Sequence, residues 1–311
     1  MHRPNWYRDS EILVVNASTC GINKDGHEQY LVNPETGIRS DSDINDKLAE
    51  ACDLIHEGNF ERNDINFHSH ADAIEKDIFV PKYYDDSINI DIQELVASIE
   101  DVELKSLGDL VSEELLVVMG GHGSPSSDQR VGEIPYIKVS DLRAGSVNIN
   151  PTNMVPVALA EQFWRGNSSG LKPYDLISPE RASKNIGEFC ILMPGQQKLV
   201  LTKEVIIIRT TAHSFVSQFY LMWACSLSAV RKEWERIVFM QTNREDVGKR
   251  MLEVLIPFPT TEEKANELAA PFKEYYENIE AARSNFISSI NGSDFEHHIH
   301  LGETENDERN V

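Results

Sequence analysis

Basic residues are scarce in this 311-residue chain: 29 Lys+Arg stand against 51 Asp+Glu, a formal net charge of −22. That balance excludes a general nucleic-acid binder, which needs a positive surface to replace the counterions of a phosphate backbone. Cysteine is sparse as well. Cys20, Cys52, Cys190 and Cys225 are far apart with no CxxC pair. Neither a disulfide framework nor a structural zinc site is expected from them, but reduced, mostly buried thiols. No apolar run reaches the ~18 residues of a membrane span, and MHRPNWYRDSE lacks the apolar region of a secretory signal. A cytoplasmic protein without a membrane partner is expected. Signatures of catalysis are missing too. The compact cluster Gly120-Gly121-His122-Gly123 lacks the strand–GxGxxG–helix setting of a dinucleotide site. No nucleophile elbow surrounds Ser124, Ser126 or Ser127. His68, His70, His122, His297, His298 and His300 have no carboxylate or cysteine frame at metal spacing. No paired-carboxylate nuclease pattern stands out in the acidic N-terminal part. No cofactor and no metal are expected.

What is present suits a globular protein of about two domains, with 41% hydrophobic and 26% charged residues. Charge is unevenly spread. Residues 1–129 hold 9 Lys+Arg and 27 Asp+Glu, and residues 256–311 hold 4 and 12. Residues 130–255 hold 16 and 12, and are the one net-positive stretch. Any contact with a polyanion is therefore confined to that stretch and is steeply salt-sensitive.

Periodicity predicts the elements. EILVVNA (11–17) reads as a strand, and Lys24-Asp25-Gly26 as a turn before a second strand. DSDINDKLAEACDLIHEGN (41–59) reads as one helix with Ile44, Leu48, Ala51, Cys52 and Ile55 as its apolar face and acids at its start. Residues 87–101 read as a bridging helix. QRVGEIPYIKVSDLRAGSVNIN (129–150) reads as a hairpin-like β unit, with Ile134, Tyr136 and Val139 alternating against Lys138 and Ser140, and a turn at Gly145. VALAEQFW is a short amphipathic piece. KLVLTKEVIIIR (198–209) reads as one strand. Residues 214–236 read as one helix, with Phe215, Phe219, Trp223, Leu227, Val230 and Trp234 on a single face. Residues 261–290 read as a long helix opened by Thr260 and Glu263, with a stripe of Leu268, Phe272, Tyr275, Ile279, Phe286 and Ile290. Pro271 should kink it or delay its regular part, and Asn291-Gly292 should end it. The tail after it, 292–311, is acidic and expected to be disordered.

Four segments carry a resemblance, in order. IPYIKVSDL with its Gly turn, KPYDLISPERASKNIGEFCIL (172–192), KLVLTKEVIIIR and the stretch 217–259 ending in IPFP resemble the target recognition domain of type I restriction-modification specificity subunits. Residues 11–86, ending in VPKYYDD, resemble the C-terminal end of a type I DNA adenine methyltransferase. The Asn-Pro-Pro-aromatic motif of such an enzyme is absent. The only Asn-Pro steps, Asn33-Pro34 and Asn150-Pro151, are followed by Glu and Thr.

The resemblance implies an α+β chain. A methyltransferase-tail-like segment (1–86) would precede a mixed α/β target recognition domain with its lead-in helix (87–260), then the long helix (261–291) and the tail (292–311). It implies a non-catalytic, sequence-specific DNA recognition subunit of a restriction-modification or phage-defence system. Double-stranded DNA, a separate DNA adenine methyltransferase subunit and a restriction or nuclease subunit would be its partners. With room for one recognition domain, reading a two-part site requires a homodimer or a second subunit. Base edges and phosphates are read by Arg, Lys, Gln and Asn on loops. The candidates are Gln129, Arg130, Lys138 and Arg165, then the clusters Arg181, Lys184, Asn185 and Gln241, Asn243, Arg244. The net charge also supports another reading, an acidic interaction protein that regulates such a complex without selective DNA binding.

Overall fold

The computed structural model describes residues 10–70, 78, 80–181, 185–238, 247–295, 297 and 299–302. Its elements, in chain order, are strands β1 (Glu11–Val15), β2 (Tyr30–Val32) and β3 (Arg39–Ile44), helix α1 (Lys47–His56), β4 (Asn66–His70), α2 (Ser87–Ala97), β5 (Val102–Ser106), α3 (Leu107–Ser112) and β6 (Leu116–Gly120). Next come β7 (Ile134–Ile137), β8 (Leu142–Arg143), β9 (Ser146–Val147), β10 (Met154–Val155), α4 (Val157–Trp164), β11 (Leu176–Pro179) and β12 (Cys190–Ile191). The chain continues through β13 (Val200–Leu201), β14 (Val205–Thr210), α5 (Gln218–Ser226), α6 (Ser228–Ile237), β15 (Leu255–Pro259) and α7 (Glu262–Asn291). The fold class is α+β. The chain divides into two units, Met1–Ser87 and Ile88–Val311.

In the first unit β1 pairs antiparallel with β4, and β2 with β3. The residues Asp41–Ile44 belong to β3, not to the start of a helix as the acidic run suggested. The cause is the turn before them. The Asn33 side chain accepts from the Glu35 and Thr36 N–H groups at 2.9 and 3.0 Å, and folds the chain back on itself. The helix starts later, where Asp46 accepts from the Ala49 N–H at 2.9 Å. Of its expected apolar face only Ala51 is buried; Ile44, Leu48 and Ile55 are exposed. Cys20 and Cys52 are exposed as well, so two of the four thiols, not most, are buried.

The second unit is built on a six-stranded sheet, in the order β6-β14-β11-β12-β9-β8, antiparallel except for the β12–β9 pair. Three strands, β10-β7-β13, form a second sheet. The stretch 129–150 is thus divided between two sheets instead of forming one hairpin. The divide is a 3-10 turn, Val139–Asp141, closed by the Asp141 side chain, which accepts from the Lys138 N–H at 2.8 Å. Only β8 and β9 make a hairpin. Its two turn residues, Ala144 and Gly145, have φ of 51° and 74°, the left-handed pair that a two-residue hairpin requires. KLVLTKEVIIIR is divided in the same way. Thr202 continues β13 along β7 by donating its N–H to the Ile137 carbonyl at 2.9 Å, and a turn at Lys203-Glu204 then sends β14 into the larger sheet.

This division produces layers. Ile137 and Leu201 look toward the larger sheet and join Leu142, Val147, Ile177, Cys190 and Ile207 in one core cluster. Ile134, Tyr136 and Val200 look the other way, toward Ala160, Leu159, Phe163 and Trp164 of α4. β7 is therefore buried on both faces, which simple alternation did not predict. Trp164 Nε1 donates to the Leu199 carbonyl at 2.9 Å, so the half-buried indole has its polar end satisfied. Behind the larger sheet, α5 lies against β11, and α7 against α5 and β15.

The predicted helix 214–236 is two helices. Leu227 is extended (φ −66°, ψ 137°), and Phe215 precedes the first helix and is exposed. Phe219, Val230 and Trp234 of the expected face are buried. The long helix starts one residue later than read: Thr261, not Thr260, accepts from the Lys264 N–H at 3.2 Å. It runs unbroken through Pro271 and ends at Gly292. Its buried residues are Ala265, Ala269, Tyr276, Arg283 and Ile287, while Tyr275 and Phe286 are exposed. The small alanines permit close approach to α5. Tyr276 stacks on Phe219 with ring centroids 6.4 Å apart and donates its hydroxyl to the Gly145 carbonyl at 2.9 Å. Within the tail expected to be disordered, residues 299–302 are held: the Leu301 carbonyl accepts from Arg283 Nη1 at 2.8 Å.

Candidate nucleic-acid interface

The described candidates fall into different environments. Gln129 ends a 3-10 turn, and its Oε1 accepts from the Ser126 N–H and hydroxyl, each at 3.0 Å. Arg130 donates to the Pro125 carbonyl at 3.2 Å and stacks over the Tyr136 ring at 5.2 Å. Both hold the loop before β7 in place. Arg165 caps α4 in a left-handed conformation (φ 59°), donates its backbone N–H to the Gln162 carbonyl at 3.2 Å and is exposed. Arg181 is ion-paired with Glu204 at 2.5 Å, so its charge is largely neutralised. Lys184, Gln241, Asn243 and Arg244 lie outside the described residues, as do Ser183 and Thr242.

Asn185 and the turn that follows Lys138 are linked by Arg143, a residue that the sequence reading left unmarked. Its guanidinium donates to the Leu142 and Val139 carbonyls at 2.7 and 3.3 Å, which anchors it on the turn that Lys138 opens. With the Asn185 amide turned so that its oxygen faces the guanidinium, that oxygen accepts from Arg143 Nη2 at 2.8 Å. Glu188 approaches the same guanidinium at 3.9 Å and accepts from the Ala144 N–H at 3.1 Å. The β8–β9 hairpin and the loop before β12 thus share one polar cluster at the end of the larger sheet. The signal for Arg143 was its place beside the Ala144-Gly145 turn, where a side chain stands at the rim of the sheet.

A second contact concerns the two polar clusters. The Val247 N–H, next in sequence after 241–246, donates to the Glu180 carbonyl at 3.1 Å. Glu180 immediately precedes Arg181. The points where the chain enters 181–185 and leaves 241–246 are therefore adjacent. Acids moderate the charge here: Glu204 pairs with Arg181, and Glu188 lies beside Arg143.

Of the other residues singled out in the sequence, His122, Ser124 and His68 have structural partners, and His298 lies outside the described residues. His122 accepts from the Leu201 N–H on Nδ1 at 2.9 Å, which leaves Nε2–H to donate to the Ser169 carbonyl at 2.8 Å. Burial holds its pKa below the ordinary histidine value, opposed by the bond to Ser169. Ser124 bonds to the Thr202 hydroxyl at 3.1 Å. Gly121 is obligatory in this loop, because a Cβ there would run into the Thr202 carbonyl. His68 Nε2 bonds to the Phe60 carbonyl at 2.8 Å. Among the described residues no three His, Cys, Asp or Glu side chains gather as a metal site, and no helix is long and apolar enough to cross a membrane. The cluster around Arg143, Asn185 and Glu188 offers hydrogen-bond donors and acceptors at the end of the larger sheet.

No family model matches the chain, and no curated protein matches it. Solved structures similar to it include the type I restriction-modification S subunit from M. genitalium, with a TM-score of 0.40 and 11% identity over 61% of this chain and 43% of that one. The HsdS subunit from Thermoanaerobacter tengcongensis has a TM-score of 0.38 and 15% identity over 63% and 44%. The type IIG restriction endonuclease BpuSI has a TM-score of 0.38 and 11% identity over 73% and 33%. The chain spans less than half the length of each of these three proteins.

Proposed function

We propose that this chain is a non-catalytic, sequence-selective DNA recognition subunit of a type I-like restriction-modification or defence system, directing a separate adenine methyltransferase. The observation that carries the reading is the Glu180–Val247 contact. It joins the flanks of the two polar segments, Glu180 just before 181–185 and Val247 just after 241–246, within the one net-positive stretch of an acidic chain. The Arg143–Asn185 pair adds an arginine already fixed in place, and such preorganisation lowers the entropy lost on binding. Acids beside both arginines mean weak attraction to phosphate, so affinity rests on specific contacts or on a partner's basic surface.

Residues 1–87 are the proposed attachment to the methyltransferase subunit. This unit has four buried apolar side chains among its described residues, Val14, Ala51, Ile65 and Phe67. Eight large apolar ones, among them Leu31, Val32, Leu48 and Phe60, are exposed. So small a core suits an element completed by another chain. Tyr275 and Phe286, exposed on α7, suit a helix–helix contact with a second subunit, as a two-part site requires.

Selection from a randomised duplex pool at about 0.1 M salt, with the chain alone and with a type I adenine methyltransferase subunit, tests the reading. A motif should be enriched, and should weaken when Arg143 and Asn185 are changed to Ala. Absence of enrichment in both arms sinks the reading and favours the acidic interaction protein.

A further inference from the structure

We propose that the outer edge of β6 is a docking site for an extended basic segment of a partner protein, added as a seventh strand to the larger sheet. The proposal is independent of the DNA reading and rests on other residues. β6 stands at one end of the strand order and, among the described residues, pairs with β14 alone. The Thr211 N–H donates to the Leu115 carbonyl at 3.0 Å, and the Gly121 N–H to the Val205 carbonyl at 2.9 Å. Backbone groups of successive residues in an antiparallel strand point to opposite sides. Leu115, Val117, Met119 and Gly121 therefore face β14, and Leu116, Val118 and Gly120 face outward. No described residue takes up the Val118 N–H or carbonyl.

Exposed edges are normally blunted by charge, proline or a bulge. LVVMG has neither charge nor proline, and its register with β14 is regular. Val117 is 39% exposed. Beside the edge lies a cavity of about 430 Å³ lined by Val111, Glu114, Val117, Thr211 and His213 among others. An added strand places alternate side chains in such a pocket, and its main chain supplies the hydrogen bonds.

Charge selects the occupant. The chain carries −22, so a second copy is repelled. Glu113 is already bonded by Lys105 at 2.8 Å, whereas Glu114 is exposed at the start of the strand and lines the cavity. A β-branched segment with Lys or Arg beside Glu114 fits; one with acids there does not.

The test uses the full chain and a labelled heptapeptide of alternating valine and threonine with lysine at both ends. Fluorescence anisotropy should show saturable binding, about tenfold weaker with glutamate at the ends and lost when the central residue is proline. The Val118 and Gly120 amides should gain protection from hydrogen exchange. Val118→Pro removes an outward N–H and no bond to β14, so it should keep the fold and abolish binding. Glu114→Lys should invert the preference between the two peptides. Binding that persists in a folded Val118→Pro variant overturns the proposal. So does a dimer seen in sedimentation that Val118→Pro dissolves, since the occupant is then a second copy. If Val118→Pro unfolds, the Glu114→Lys inversion and the amide protection decide: both present support the site, and either absent overturns it.

Discussion

His122 is held between two backbone groups that permit a single tautomer, accepting on Nδ1 and donating from Nε2. Protonation forces Nδ1 to become a donor facing the Leu201 N–H. With the folded pKa below the ordinary 6.5, the unfolded chain takes up the proton first. The stability contributed by neutral His122 is therefore complete above about pH 6.5 and is lost as pH falls from there through the folded value. Urea midpoints at about pH 7.5 and about pH 5.5 should show a fall, and the fall should be smaller in His122→Gln. An equal fall in both proteins rejects this account. A second contrast concerns ion pairs. Asp175 is fully buried and receives a bidentate pair from Arg209, with both distances 2.6 Å, and the Lys172 N–H at 2.8 Å. Asp175→Ala leaves a partly buried guanidinium unpaired and should cost about 3–5 kcal/mol. Glu204→Ala breaks the Arg181 pair, whose two side chains are each 33% exposed, and should cost ~1 kcal/mol or less. Denaturant midpoints compare the two directly.

For the elements, α7 separates the stripe legible in sequence from the face that is buried. The sequence marks Tyr275 and Phe286 as core because they are large; the fold buries the small Ala265 and Ala269 and, beside Tyr275, Tyr276. Rotating the stripe by one residue brings α7 close to α5 and lets the Tyr276 hydroxyl reach Gly145 on the β8–β9 turn. Tyr276→Ala should therefore cost about 3–5 kcal/mol, and Tyr275→Ala within ~0.5 kcal/mol of zero. Thermal melts of the two variants check the order; the reverse order would restore the stripe read from the sequence. The divided strands follow a similar logic. Asp141 at one turn, and at the other Thr202, whose Oγ1 accepts from the Glu204 N–H at 3.5 Å, supply side-chain bonds that compete with a continuing strand.

Over the whole molecule, the thiols and the charge report on different parts. Cys20 and Cys52 are exposed; Cys190 and Cys225 are buried, and burial pushes each of the latter up to about 12. Thiol titration of the native chain should count two fast groups, and four after denaturation. A single fast thiol would show that one of the exposed pair is covered, for example by self-association. The paired acids also revise the steep salt dependence expected from the sequence: under the proposed DNA reading, affinity should fall with salt more gently than for a strongly basic reader, because Arg181 and Arg143 are flanked by Glu204 and Glu188.

The α+β class was expected from the resemblance; local pattern by itself determined the turn at Gly145 and the amphipathic α4. Both of these elements depend on neighbours a few residues away. Which sheet each strand joins, which side of α7 faces inward, and which polar residues are free to contact a ligand depended on residues far apart in the chain. Arg130 and Arg181 look alike as loop arginines, yet Tyr136 holds the first and Glu204 the second. Arg143, unmarked in sequence, is placed at the rim by a turn and by Asn185, 42 positions later. Burial and pairing are long-range properties; only the tertiary structure could decide them.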